Sequence, residues 1–160
     1  MPDPRQWISP TGYEVSTDPD RLDIDRIHSF LSTAYWTHGI PRDVVQRAIA
    51  NSLPFGLYAS SGDQAGFARA ITDRATYAYL ADVYVEPQHR GQGLGKFLIA
   101  CVLAHPELQA LRRWALATAD AHALYERHGF RPPADPRIHM FIERSPTELW
   151  PPAAETVGDQ

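Results

Sequence analysis

Cysteine is almost missing from this chain of 160 residues: Cys101 stands alone, so no internal disulfide can form. It falls on the apolar side of a helical pattern, where a small thiol packs as core and not as a nucleophile. Long apolar runs are lacking too. The longest, Phe97 to Ala104, falls far short of the roughly 20 residues that span a bilayer, and no charged start followed by an apolar stretch resembles a signal peptide. The chain therefore reads as cytoplasmic, with no membrane partner. Lysine is reduced to Lys96, and the net charge of -4 argues against a general nucleic-acid binder, which needs a basic surface to neutralise phosphates. The seven histidines are scattered without ligand spacing, so no metal is expected. No nucleophile elbow frames a serine, so a Ser-His-Asp triad is not inferred.

What is present suits one domain, residues 1–160, with a core of about 13–144 between Pro-rich polar tails at 1–12 and 145–160. A short strand at Tyr13 to Ser16 precedes Ile24, Ile27, Leu31 and Ala34, which follow helical spacing behind the capping candidates Asp20 and Asp23. Pro41 suits the first turn of a second helix striped by Val44, Val45, Ala48 and Ile49. Phe55 to Ala59, Ala65 to Ile71 and Tyr77 to Val85 read as an antiparallel meander of strands. A glycine-rich turn then opens a helix with Leu94, Phe97, Leu98, Cys101 and Val102 on one face. Further on, Trp114 to Ala117 predicts a strand, Ala121 to His128 a short helix stopped by Gly129, and Ile138 to Ile142 a closing strand. The fold class is α+β with a mixed sheet.

The turn is the informative segment. Its run Arg90-Gly91-Gln92-Gly93-Leu94-Gly95-Lys96 lies between a strand and a helix start, where glycines admit an oxygen close to the backbone and free N–H groups favour an anion. Arg90 and Lys96 add charge, and a pyrophosphate is the natural guest. A Walker loop is excluded because Arg90 and Phe97 stand where it needs Gly and Ser or Thr; a dinucleotide fingerprint needs glycine at Lys96.

Arg90-x-x-Gly93-x-Gly95, after a strand ending Val83-Tyr84-Val85-x-Pro87, resembles the acetyl-CoA-binding motif of the GNAT acyltransferases. Downstream, Ala121-x-x-Leu124-Tyr125-Glu126-x-x-Gly129-Phe130 is similar to the family's later helix. The likeness in element order covers most of Tyr13 to Ile142. It implies a mixed, mostly antiparallel central sheet with flanking helices and a strand-loop-helix site for acetyl-CoA, used as co-substrate.

The resemblance implies roles residue by residue. Backbone groups of Val83, Tyr84 and Val85 would hold the pantetheine arm, and the amides of Arg90, Gly91, Gln92, Gly93, Leu94, Gly95 and Lys96 the pyrophosphate. Tyr125 would be the general acid for direct transfer to an amine. The family's usual glutamate base is replaced by Ala81, which leaves Asp82 as substitute candidate, as a structural hydrogen-bonding residue, or as a bystander to ordered water. Alternation places Ala81 and Asp82 on opposite faces of the sheet. Thr118 stands where an asparagine often touches the cofactor, while Asp120 caps the next helix. For the acceptor, Tyr35, Trp36, His38, Arg69, Tyr79 and His122 are available. Tyr35 and Trp36 either shield a substrate or close a helix on the core; Arg69 can pair a substrate carboxylate or Asp82. The expected function is N-acetylation of a small-molecule amine. A protein or peptide amine, or a non-catalytic acyl-CoA sensor, are the alternatives, and a homodimer is compatible with the chain.

Overall fold

The computed structural model describes Pro2 to Ala153; Met1 and Ala154 to Gln160, which belong to the expected tails, lie outside the described residues. Six strands form one sheet in chain order: β1 (Gln6–Ile8), β2 (Glu14–Ser16), β3 (Leu53–Tyr58), β4 (Gln64–Thr72), β5 (Tyr77–Val85) and β6 (Arg113–Ala115). Every pairing is antiparallel except β5 with β6, which are parallel and joined by a helical crossover. The leading residues, read from composition as tail, thus supply an edge strand.

Helices α1 (Ile24–Leu31) and α2 (Arg42–Ala50) cover one face, burying Ile27, Leu31, Val45 and Ile49 with Phe67 and Tyr84 of the sheet. Asp23 caps α1 by accepting from the Arg26 N–H, and Pro41 sits at the N-cap of α2. On the other face α3 (Leu94–Leu103) sets Leu94, Leu98, Cys101 and Val102 against Phe55, Leu57, Ala68 and Leu80. Cys101 is core, and burial pushes its thiol up to about 12. The short helices α4 (His122–Glu126) and α5 (Pro146–Leu149) follow. Gly129, at a φ of 95°, ends the turn after α4 as its position implies.

The structure corrects three details. The closing strand is absent: a short turn at Pro136–Ile138 leads into residues 139–145, which join no ladder. Its approach carries Pro132, Pro133 and Pro136, which lack the N–H a ladder needs and hold the chain extended. The cap of α4 differs too: its N-cap is Ala121 and no side chain caps the helix, Asp120 included, while Thr118 Oγ1 accepts from the Ala121 N–H at 3.0 Å. Thirdly, the expected alternation of Ala81 and Asp82 fails at a β-bulge. Phe67 pairs with Tyr84 and Arg69 with Ala81, so Asp82 and Val83 together oppose Ala68. Asp82 takes a left-handed φ of 56°, which a short polar side chain tolerates. Before the bulge Leu80 faces α3; after it Val83 and Val85 do, while Tyr84 turns to the α1 side.

Candidate active site

The site is built where β5 and β6 part. Their ladder runs only from Tyr77 with Arg113 to Tyr79 with Ala115, so β5 beyond Tyr79 has no ladder partner on that edge. The bulge at Asp82 lies within this unpaired stretch, which delivers the backbone of Val83, Tyr84 and Val85 to the turn before α3. Of these groups the Val85 carbonyl is already engaged, accepting from Arg90 Nε at 2.8 Å. That bond holds Arg90 against the strand and leaves its terminal nitrogens to charge the turn.

Gly91 and Gly93 adopt φ values of 80° and 76°, where other residues are strained, and a Cβ on either would meet nothing within 4 Å. The space beside them is open, so backbone conformation and not protein packing calls for glycine there. Gly93 is the N-cap of α3, with no side chain bonded to the first-turn amides. Leu94 is buried and Phe97 packs on the core, so the turn presents backbone while its side chains anchor it. Two partners escaped the sequence reading: the Tyr13 hydroxyl bonds His89 Nδ1 at 2.8 Å, and Gln92 Nε2 donates to the His89 carbonyl at 3.2 Å. Only folding brings Tyr13 to this turn, so no local pattern reveals it. These bonds brace the turn from the β2 side.

Gly95 couples the turn to the second motif. A Cβ there would lie 3.7 Å from Leu124 Cδ2, an ordinary contact that brings α3 close to α4. On α4, Tyr125 packs edge-on to Phe130, with centroids 5.9 Å apart. Burial, then the neighbouring Tyr35 and Asp120, push its pKa up to about 12. The phenol is thus protonated throughout the neutral range. Thr118, beside α4, accepts from the Ala121 N–H with one lone pair and retains its own O–H. His122 is exposed at the start of α4, and Lys96 is exposed on α3.

Across the gap, the loop after α1 makes a roof. Ala119 N–H donates to the Tyr35 hydroxyl at 3.1 Å, and Tyr35 meets Trp36 edge-on at 5.0 Å. Trp36 Nε1 in turn donates to Asp82 Oδ1 at 2.9 Å, while Arg69 Nε donates to Asp82 Oδ2 at 2.6 Å. Both carboxylate oxygens are therefore engaged. The Arg69 and Asp82 side chains are 16% and 7% exposed, and removing one partner of such a buried pair costs about 3–5 kcal/mol. Tyr79 lies on the Arg69 side of the sheet, its pKa raised mainly by burial; His38 is exposed on the loop.

A cleft of about 480 Å³ opens between α1 and the end of β5, lined by Arg26, Ser29, Phe30, Thr33, Glu86 and Pro87. The sequence reading missed it. Its signal was a stripe flanking Ile27 and Leu31, where Arg26 and Phe30 follow helical spacing and Thr33 continues it just past the end of α1. Phe30 stacks on Tyr84 at 3.8 Å, so cleft and unpaired strand share a wall. Among the described residues no cluster of three or more His, Cys, Asp or Glu forms a metal site, and no helix is long and apolar enough to cross a membrane.

Comparison with known proteins agrees with this architecture. Residues 51–132 match the acetyltransferase (GNAT) domain family. Protein FG08082 of Gibberella zeae, named provisionally as an acetyltransferase, is 33% identical over 147 residues, 78% of this chain and 81% of its own. A Xanthomonas campestris pv. campestris crystal structure, provisionally described as a GNAT-family acetyltransferase, is 48% identical with a TM-score of 0.80, covering 91% of this chain and 96% of that one. A Deinococcus radiodurans R1 structure at 22% identity and TM-score 0.65 shares the fold, over 82% of this chain and 88% of its own. The chain belongs to the GNAT family of acetyltransferases.

Proposed function

We propose that this chain moves the acetyl group of acetyl-CoA directly to the amine of a small molecule, with Tyr125 as general acid. The carrying observation is that a protonated, desolvated Tyr125 stands on a helix in contact with the glycine turn. Acetyl-CoA, when bound, supplies the activated thioester. The amides of Arg90 to Lys96 and the two basic side chains fit its pyrophosphate, because the space beside Gly91 and Gly93 is open and the first-turn N–H groups lack a side-chain cap. Backbone groups of Val83 and Tyr84 suit the pantetheine arm and an N–H donor toward developing oxyanion charge. The Thr118 O–H is a further donor.

Tyr125 is matched to protonating a thiolate held beside it, since desolvation raises the basicity of both. Asp82, its charge balanced by Arg69 and both its oxygens engaged, serves better as the anchor of Arg69 and Trp36 than as a free base. Deprotonation then falls to solvent in the gap. The roof of Tyr35 and Trp36 narrows the acceptor side, which favours a small amine over a folded protein surface, with Tyr79, Arg69 and His122 as its surroundings.

Tyr125→Phe tests this reading. It removes the phenolic proton but keeps the ring against Phe130, so acetyl-CoA affinity should be unchanged while turnover falls by on the order of 100-fold to 10,000-fold. Single-turnover rates within about twofold of wild type would remove Tyr125 from the acid role.

A further inference from the structure

The amides that would meet a pyrophosphate are hard to hold ready. From Gly91 to Lys96 no backbone N–H has an acceptor among the described residues. The two glycines at φ 80° and 76° also lose more freedom than other residues when fixed. Such a segment keeps one shape only if both of its ends are pinned. After Gly93, helix α3 does this through Leu94, buried in the core. Before Gly91 there are two pins: Arg90 Nε on the Val85 carbonyl, and the bond between the side chains of His89 and Tyr13.

The second pin comes from a distant part of the chain. Tyr13 directly precedes β2, which β3 and β4 separate from β5, and it lies outside the matched segment 51–132. Its ring packs on the core beneath α3. Its backbone is tied to Ser9 in both directions: the Ser9 N–H donates to the Tyr13 carbonyl at 2.8 Å, and the Tyr13 N–H to Ser9 Oγ at 3.0 Å. The β1–β2 hairpin thus aims the phenol. The ring meets His89 edge-on, with centroids 5.7 Å apart. The hydroxyl accepts from Gln92 Nε2 at 3.5 Å and donates to His89 Nδ1 at 2.8 Å. One oxygen therefore ties the residues on either side of Arg90 and Gly91. We propose that Tyr13 is a positioning residue for acetyl-CoA, holding the turn in its binding shape through His89 and Gln92. This role rests on the proposed function, in which the turn holds the pyrophosphate. Without the pin the fold stays in place but the turn samples other shapes, and the apparent affinity falls with the fraction that remains competent.

Calorimetry of the full chain, with CoA as the probe, tests this without any acceptor. Tyr13→Phe keeps the ring and removes the hydroxyl, so CoA should bind about 3-fold to 10-fold more weakly, as the loss of one hydrogen bond predicts. The melting temperature without CoA should stay near that of wild type. His89→Leu should show the same loss, and combining it with Tyr13→Phe should weaken binding no further, because both remove one bond. His89→Asn places an acceptor oxygen where Nδ1 stood and should restore most of the affinity. Gly93→Val reports on the turn itself. Weakened binding in Gly93→Val, with wild-type affinity in Tyr13→Phe and His89→Leu, would overturn the positioning role alone. Additive losses in the double variant, or a lowered melting temperature with unchanged CoA affinity, would overturn it as well. Wild-type affinity in every variant, Gly93→Val included, would overturn the turn as the cofactor site and the role of Tyr13 with it.

Discussion

Tyr125 and Asp82 show how position decides chemistry for two groups that the sequence offers in different roles, one as the acid and one as a substitute candidate for the base. Tyr125 keeps its proton because burial dominates its surroundings, whereas Asp82 is fully committed to Arg69 and Trp36. His105 makes the same point outside the site. It is 5% exposed between the rings of Trp7 and Phe55, and its Nδ1 accepts from the Glu107 N–H at 3.2 Å. Desolvation lowers its pKa more than Glu107 raises it, with Arg74 and Arg5 adding to the lowering. Above the ordinary value of 6.5 both folded and unfolded states hold it neutral, and it contributes nothing to pH dependence. Below that value the unfolded chain takes up a proton that the folded chain resists, so stability is lost as pH falls from about 6.5. The melting temperature of the wild type should therefore drop more steeply between about pH 7 and pH 5 than that of His105→Gln. Parallel slopes would show that His105 titrates freely in the fold.

At the scale of elements, the glycine turn and α4 carry the site. Gly93→Val should strain the N-cap of α3 at its positive φ and fill the open space, and Arg90→Ala should remove charge and the brace on Val85. Calorimetry should find CoA affinity reduced in both folded variants; unchanged affinity would move the cofactor away from this turn. The periodic elements and this turn were legible in sequence because their signals are local: Ile27 and Leu31 on one stripe, Pro87 and three glycines between strand and helix. The bulge at Asp82 was not, since a left-handed aspartate in a run of strand formers leaves no mark until the partner register is known. The pairing of Arg69 with Asp82 was one of two partners the sequence offered, whereas the second grip, from Trp36 at 46 positions away, came only with the fold. The closing strand failed instructively. Ile138 to Ile142 has the composition of a strand, but composition cannot name the edge that receives it.

The whole molecule is a sheet with helices on both faces, opened at one edge where β5 and β6 separate. Opening exposes backbone that a long, flexible co-substrate can pair with, and the roof from Tyr35 to Asp82 limits what enters from the other side. Transfer itself is the central claim, and it is measured most directly by incubating the full chain with acetyl-CoA and a panel of amines, amino acids, polyamines, aminoglycosides and peptides. Thiol release is followed and each product identified by mass. The expected result is amine-dependent thiol release with an acetylated small molecule as product, fast with wild type and slow with Tyr125→Phe. Tight CoA binding with no acetylated product from any amine would contradict it and make the chain an acyl-CoA sensor.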